Sequence, residues 1–226
     1  MDKPKLWAFG CSNTFGQCLD RIDKQKPSKK AWPNVLADKL NIHPMNKAQL
    51  GNSNRGILYN ALENIDNISV NDLVVLFWTY PSRTFFWQRD LKDKITKLEM
   101  MENMSDKISP WTIGGTQTKI RFKAWIKYFF HRIDLEYSLY ENMTVADHIL
   151  KKNTVFVYHV LSDVQEVDPK WLNVDIIGKF RMTSDHYKDF ALDSAHPGKE
   201  QHKFLADQLY TKLTAQQLFR NKFKIR

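Results

Sequence analysis

Three short stretches of the chain hold residue types suited to acyl transfer. The first is Gly10-Cys11-Ser12-Asn13-Thr14-Phe15-Gly16. A serine just past a strand, at or before a helix start, points its hydroxyl into a cleft. Its own amide is free to donate, because first-turn amides lack intrahelical partners, and the positive helix end favours an anionic intermediate there. An ordinary capping serine would look the same. The second stretch is Asp193-Ser194-Ala195-His196-Pro197-Gly198. A carboxylate three residues before a histidine can reach Nδ1 and leave Nε2 facing outward, the orientation a base needs to deprotonate a serine. A helix-start turn capped by Asp193 or Ser194 would carry the same letters. The third is Ala48-Gln49-Leu50-Gly51-Asn52-Ser53-Asn54, where the Gly51 amide can approach a ligand with no side chain in the way. A plain turn glycine is the alternative.

The surrounding elements decide whether these stretches can meet. Lys5–Gly10 is a short apolar run ending at glycine and predicts a buried strand. Ala31–Leu40 spaces Trp32, Val35, Leu36 and Leu40 as a helix does, with Pro33 tolerable in a first turn. A short extended piece over His43–Ala48 follows, then an amphipathic helix over Asn52–Ile65. Asp72–Trp78 and Asn153–Leu161 are apolar, β-branched-rich runs of the kind covered on both faces, and Trp171–Ile177 is a weaker third. Pro197 to about Leu218 is helical. The stretch 81–152 reads as helical or irregular, with a helix over Ile120–Tyr140 and a lid-like insertion. Strands alternating with helices predict parallel strands, a three-layer α/β/α architecture and one domain over 1–226. In such sheets the working site lies at the carboxyl ends of the strands, where all three stretches fall.

Composition narrows the classes. With 226 residues, 42 % hydrophobic and 26 % charged, the chain can bury a full core; disordered and collagen-like readings are excluded. No apolar run approaches the roughly 18 residues of a membrane span, and the N-terminal apolar run is too short for a signal-peptide core. Two cysteines, Cys11 and Cys18, cannot build a disulfide framework or a four-ligand zinc site; a reducing cytoplasm is the expected compartment. The net charge of +9, with clusters at Lys24–Lys30 and Arg220–Arg226, favours acidic partners. It is the sole support for nucleic-acid binding, since zinc-finger spacing, an RNP-type motif and a basic zipper are absent. Cys11, next to Ser12 on an extended strand, should face the core, and His159 sits in a predicted strand as a packed or hydrogen-bonded residue.

Taken together, the three stretches resemble the SGNH (GDSL-like) hydrolase superfamily. Its first block is roughly Gly-Asp-Ser-x-Thr, matched by Ser12, Thr14 and Gly16; its second-block glycine is matched by Gly51; its Asp-x-x-His block is matched by Asp193 and His196, with Pro197 following. The form Gly-Cys-Ser-x-Thr-x-Gly resembles small bacterial and bacteriophage members. The resemblance implies a flavodoxin-like sandwich and a serine esterase. Ser12 would be nucleophile, His196 base and Asp193 its orienter, with Ser12 and Gly51 amides in the oxyanion hole. Small acyl groups, often acetyl on sugars, are implied as substrates, and no metal or organic cofactor. Two positions depart from the pattern. Cys11 stands where the family has Asp. The third block, Gly-x-Asn-Asp, is replaced by Trp78-Thr79-Tyr80-Pro81-Ser82-Arg83, leaving Thr79, Ser82, Arg83 and Asn54 as candidates for the third donor or for substrate binding. A catalytically weak or inactive module that binds carbohydrate or a partner is the rival reading. A phage-encoded member would sit in the host cytoplasm or on the virion.

Overall fold

A computed structural model describes residues 3–20, 26–81, 84–89, 95–102, 108–109, 132–162, 172–180 and 186–223. Five parallel strands form the central sheet: β1 (Lys5–Phe9), β2 (His43–Asn46), β3 (Leu73–Trp78), β7 (Phe156–Ser162) and β8 (Ile176–Phe180), in the order β2-β1-β3-β7-β8. All six residues of β3 are buried, because alternate side chains enter two different cores. Leu73, Val75 and Phe77 face one core with Trp32, Leu36, Leu205, Leu209 and Phe219. These come from α2 (Trp32–Leu40), α5 (Lys199–Thr214) and α6 (Gln217–Phe223). Val74, Leu76 and Trp78 face the other, with Ile57, Ala61, Tyr140 and Met143 from α3 (Asn54–Glu63) and α4 (Arg132–Leu150). Each fully buried side chain of this kind contributes about 1.5–3 kcal/mol. The result is the three-layer α/β/α sandwich with a central parallel sheet that the alternation of strands and helices implies.

Two expectations need correction. The stretch 81–152 is not only helical or irregular: β4 (Thr84–Arg89), β5 (Ile95–Glu102) and β6 (Ile108–Ser109) form an antiparallel three-stranded sheet in the order β4-β5-β6. Thr84-Phe85-Phe86-Trp87 is a run of strand-favouring residues, yet it lacks the aliphatic continuity of a buried parallel strand. The helix expected over Ile120–Tyr140 is described from Arg132 onward and runs to Leu150; residues 110–131 lie outside the described residues. The last strand is Ile176–Phe180 rather than Trp171–Ile177. As an edge strand it tolerates Gly178 and an exposed Lys179, so an apolar-run criterion places it too early.

Asp72 ties the start of this sheet together. Only 2 % exposed, its carboxylate accepts from Lys5 N at 2.9 Å, Trp7 Nε1 at 2.8 Å and Ser69 N at 3.0 Å. Asp72→Asn sets an amide NH2 against at least one of these buried donors. The expected cost is about 1–3 kcal/mol, read as a lowered urea midpoint; an unchanged midpoint would refute the assignment.

Candidate active site

Ser12 is the first residue of the four-residue helix α1 (Ser12–Phe15). Cys11 precedes it as the N-cap, buried and without a capping side-chain bond. Gly10 permits the sharp approach: a Cβ there would lie 2.2 Å from Thr14 Oγ1 and 3.2 Å from Phe77 O. Ser12 Oγ is therefore not spent as a cap, and among the described residues it makes no hydrogen bond. Its backbone amide, one of the first-turn donors, likewise donates to no described residue.

The turn after β2 is stitched beside it. Gln49 N donates to Gly10 O at 3.1 Å, and Asn52 Nδ2 donates to the same carbonyl at 3.4 Å. Gly51 has φ +68°, a left-handed conformation that side chains other than Asn and Asp seldom adopt. Its amide donates to no described residue. Asn54, two residues past Asn52 at the start of α3, clamps the exit of β3: Oδ1 accepts from Thr79 N at 2.8 Å, and Nδ2 donates to Tyr80 O at 3.2 Å. Thr79 is thereby held, 2 % exposed, at the strand's carboxyl end. Ser82 and Arg83 lie outside the described residues.

Asp193 and His196 meet directly, with His196 Nδ1 donating to Asp193 Oδ2 at 2.6 Å. A carboxylate can only accept, so the imidazole proton sits on Nδ1 and Nε2 presents a lone pair. Asp193 Oδ1 also accepts from Ala195 N and His196 N, each at 3.1 Å. Partial burial works against the carboxylate's charge. The hydrogen bonds from the His196 ring, the two amides and the Cys18 thiol outweigh it, holding the carboxyl well below the usual range. The capping alternative for this turn is answered by another residue. Asp189 accepts from Glu200 N at 3.1 Å and Gln201 N at 2.9 Å, so it caps α5 and leaves Asp193 to the imidazole.

Cys18 is the link between the two halves of the site, and local sequence pattern offers no signal for it. It adopts φ +61°, its carbonyl accepts from Leu192 N at 3.2 Å, and its thiol donates to Asp193. A cavity of about 420 Å³ opens where these pieces converge, bordered by Phe15 and Gly16 after Ser12, Leu50 beside Gly51, and Leu192 and Asp193 beside His196. Ser12 Oγ and His196 Nε2 are not hydrogen-bonded to each other. His159, the strand histidine, is buried in the core: its ring lies nearly parallel to that of Trp78, Nδ1 accepts from Trp78 Nε1 at 2.9 Å, and Nε2 faces Asp147 Oδ1 at 3.3 Å.

Neither a protein-family model nor a curated protein matches the chain. Solved structures do. A carbohydrate esterase whose active site displays divergent catalytic and non-catalytic binding functions is 14 % identical with a TM-score of 0.55, over 97 % of this chain and 70 % of that one. An acetyl xylan esterase from Butyrivibrio proteoclasticus is 13 % identical with a TM-score of 0.51, over 99 % and 65 %. A member of the lipolytic protein G-D-S-L family from Veillonella parvula DSM 2008 is 13 % identical with a TM-score of 0.44, over 95 % and 98 %. The chain thus shares the α/β/α fold of the two carbohydrate esterases and spans about two thirds of the length of each. Among the described residues, no helix is long and apolar enough to cross a membrane.

Proposed function

We propose that this protein is a serine ester hydrolase in which Ser12, His196 and Asp193 act as a triad. The observation that carries the reading is the 2.6 Å Asp193–His196 contact, formed by an aspartate released from helix capping. In the reaction, His196 Nε2 takes the Ser12 proton as Oγ attacks the ester carbonyl. Asp193 keeps the ring in the required tautomer and stabilises its charged form. The unengaged amides of Ser12 and Gly51 bind the oxyanion, with the second N–H of Asn54 as the third candidate donor. Collapse of the adduct expels the alcohol, which takes the proton back from His196 and leaves an acyl group on Ser12; water, deprotonated by the same base, then releases the acid and restores the Ser12 hydroxyl. Ser12 Oγ and His196 Nε2 make no hydrogen bond to each other, and catalytic hydrogen bonds in ligand-free enzymes often form only with substrate. The acyl group is a small one on a carbohydrate in this reading, in keeping with the esterases that share the fold. The Gly-Cys-Ser-x-Thr block supports a small bacterial or bacteriophage-type protein.

Labelling with a fluorophosphonate probe tests the reading. Wild type is expected to label at pH 8, and both Ser12→Ala and His196→Ala to lose the label while remaining folded. Folded wild type that stays unlabelled would favour the second reading, a carbohydrate- or partner-binding module. That reading draws on the lack of a hydrogen bond between Ser12 and His196 and on Asn54 being occupied at the β3 exit. It also has a parallel in the carbohydrate esterase of similar fold whose active site has non-catalytic binding functions.

A further inference from the structure

The cavity beside the dyad has a charge character that the hydrolase reading does not use. Its floor is apolar, formed by Phe15, Leu50 and Leu192, with Leu192 65 % and Leu50 37 % exposed. Large aliphatic groups left in water beside a reactive site suit an apolar substrate body. Its rim carries Lys26 and Lys29, part of the basic cluster in the sequence. Both are exposed and make no ion pair among the described residues. Asp20, a described carboxylate on this rim, is already occupied: Lys30 Nζ lies 2.5 Å from its Oδ1, and Ser28 Oγ donates to its Oδ2. Lys199 adds a further positive charge close to Asp20. The other carboxylate of the cavity, Asp193, is taken up by His196 and three further donors. Among the described residues, two lysines without an ion-pair partner therefore share this cavity with an apolar floor and with Asp193 of the proposed triad.

We propose that this cavity is a substrate subsite for an ester bearing an anionic group, carboxylate or phosphate, with its apolar body on Phe15, Leu50 and Leu192 and its charge facing Lys26 and Lys29. The inference rests on the hydrolase reading for its chemistry but makes a separate claim about binding. Lysine ammoniums act as point charges rather than as a planar fork, so the site selects charge more than the shape of the anion. Two exposed, solvent-screened charge contacts are expected to give a preference of about tenfold over a neutral ester.

The test compares mono-p-nitrophenyl adipate with p-nitrophenyl hexanoate, matched in length and differing in the terminal charge. Wild type is expected to show about a tenfold higher kcat/KM for the adipate at low ionic strength, the ratio shrinking in about 0.5 M salt. Lys26→Gln/Lys29→Gln should bring the ratio close to one. Lys152→Gln/Lys222→Gln, the same charge removal away from the cavity, should leave it in place. A wild-type ratio near one, or a preference that survives in Lys26→Gln/Lys29→Gln, overturns the subsite. Binding is read independently of turnover by titrating Ser12→Ala with the anilides of adipic acid, hexanoic acid and 5-phosphonopentanoic acid. The two anionic anilides should bind about tenfold tighter than the neutral one, and the better of them identifies the kind of anion. Absence of turnover with the charge preference intact in binding would defeat the hydrolase reading and keep the subsite. Turnover without a charge preference would do the reverse.

Discussion

Alanine at position 12 is expected to lower kcat/KM for a p-nitrophenyl ester by about 10³-fold or more while leaving thermal stability near wild type. The two halves of this result have separate causes. Removing the attacking oxygen removes the covalent path entirely, and what survives is the rate supported by the oxyanion amides and binding alone. Stability should hold because Ser12 Oγ makes no hydrogen bond among the described residues and does not cap α1, so its loss strands no partner. His196→Ala should fall as far, and the double variant little further, because the two groups act as one unit. Asp193→Asn is the more discriminating change. Asparagine can still accept the Ala195 and His196 amides through one oxygen, but its NH2 then faces Nδ1. The ring proton is driven to Nε2, the position that must accept from Ser12, and a loss of about 10²–10⁴ follows. If folded Ser12→Ala retained a tenth of the wild-type rate, the nucleophile would have to be sought elsewhere.

How far this site can be read in the letters depends on the range of the contacts involved. Runs such as Leu73–Trp78 announce themselves because a doubly covered parallel strand must be continuously apolar, and the Asp193–His196 pair is legible because its spacing fits one turn. Gly51 is readable as a turn glycine, and its positive φ bears that out. The antiparallel strands β4–β6 escape such a reading because none of them carries an aliphatic run: β4 is Thr84-Phe85-Phe86-Trp87-Gln88-Arg89, and β5 interrupts its apolar residues with Thr96, Lys97 and Glu99. The roles of Asp189 and Cys18 are invisible for another reason. Asp189 caps α5 from ten residues before its first turn, and Cys18 joins a loop about 175 residues distant; neither bond leaves a local periodicity. Asn54 stands among the oxyanion candidates, and the structure adds that both ends of its amide group engage the β3 exit. A side chain's available hydrogen bonds are a property of its neighbours, which the order of residues alone does not supply.

Mild acid should weaken this protein well before its carboxylates titrate. His202, 2 % exposed, accepts from Trp32 N through Nδ1 at 3.1 Å, and its Nε2 is buried without a partner among the described residues. The ring is thus folded as the neutral Nε2–H tautomer. Adding a proton at Nδ1 would set one donor against another and place a charge in the core. Burial, reinforced by nearby His196 and only partly offset by Asp189, pushes its pKa from 6.5 down to about 4. His159 repeats the pattern: Nδ1 accepts from Trp78 Nε1, and burial drives its pKa down although Asp147 favours the charged ring. In both cases the unfolded chain takes up protons that the folded chain refuses, so stability is complete above the unfolded value and declines as pH falls below it. For His202 alone the linkage amounts to about 2 kcal/mol by pH 5 and about 3 kcal/mol by pH 4, a large share of a typical 5–15 kcal/mol. The Asp193 carboxyl, held below the usual range, contributes its loss only at still lower pH, so the two effects separate along the axis. Urea midpoints at pH 7.5, 6, 5 and 4.5 should fall steadily in wild type. His202→Gln, whose Oε1 can accept from Trp32 N without titrating, should show a shallower fall, with His159 supplying the remainder. Midpoints that stay level between pH 7.5 and 5, or an identical slope in His202→Gln, would mean that this imidazole is not kept neutral by the fold.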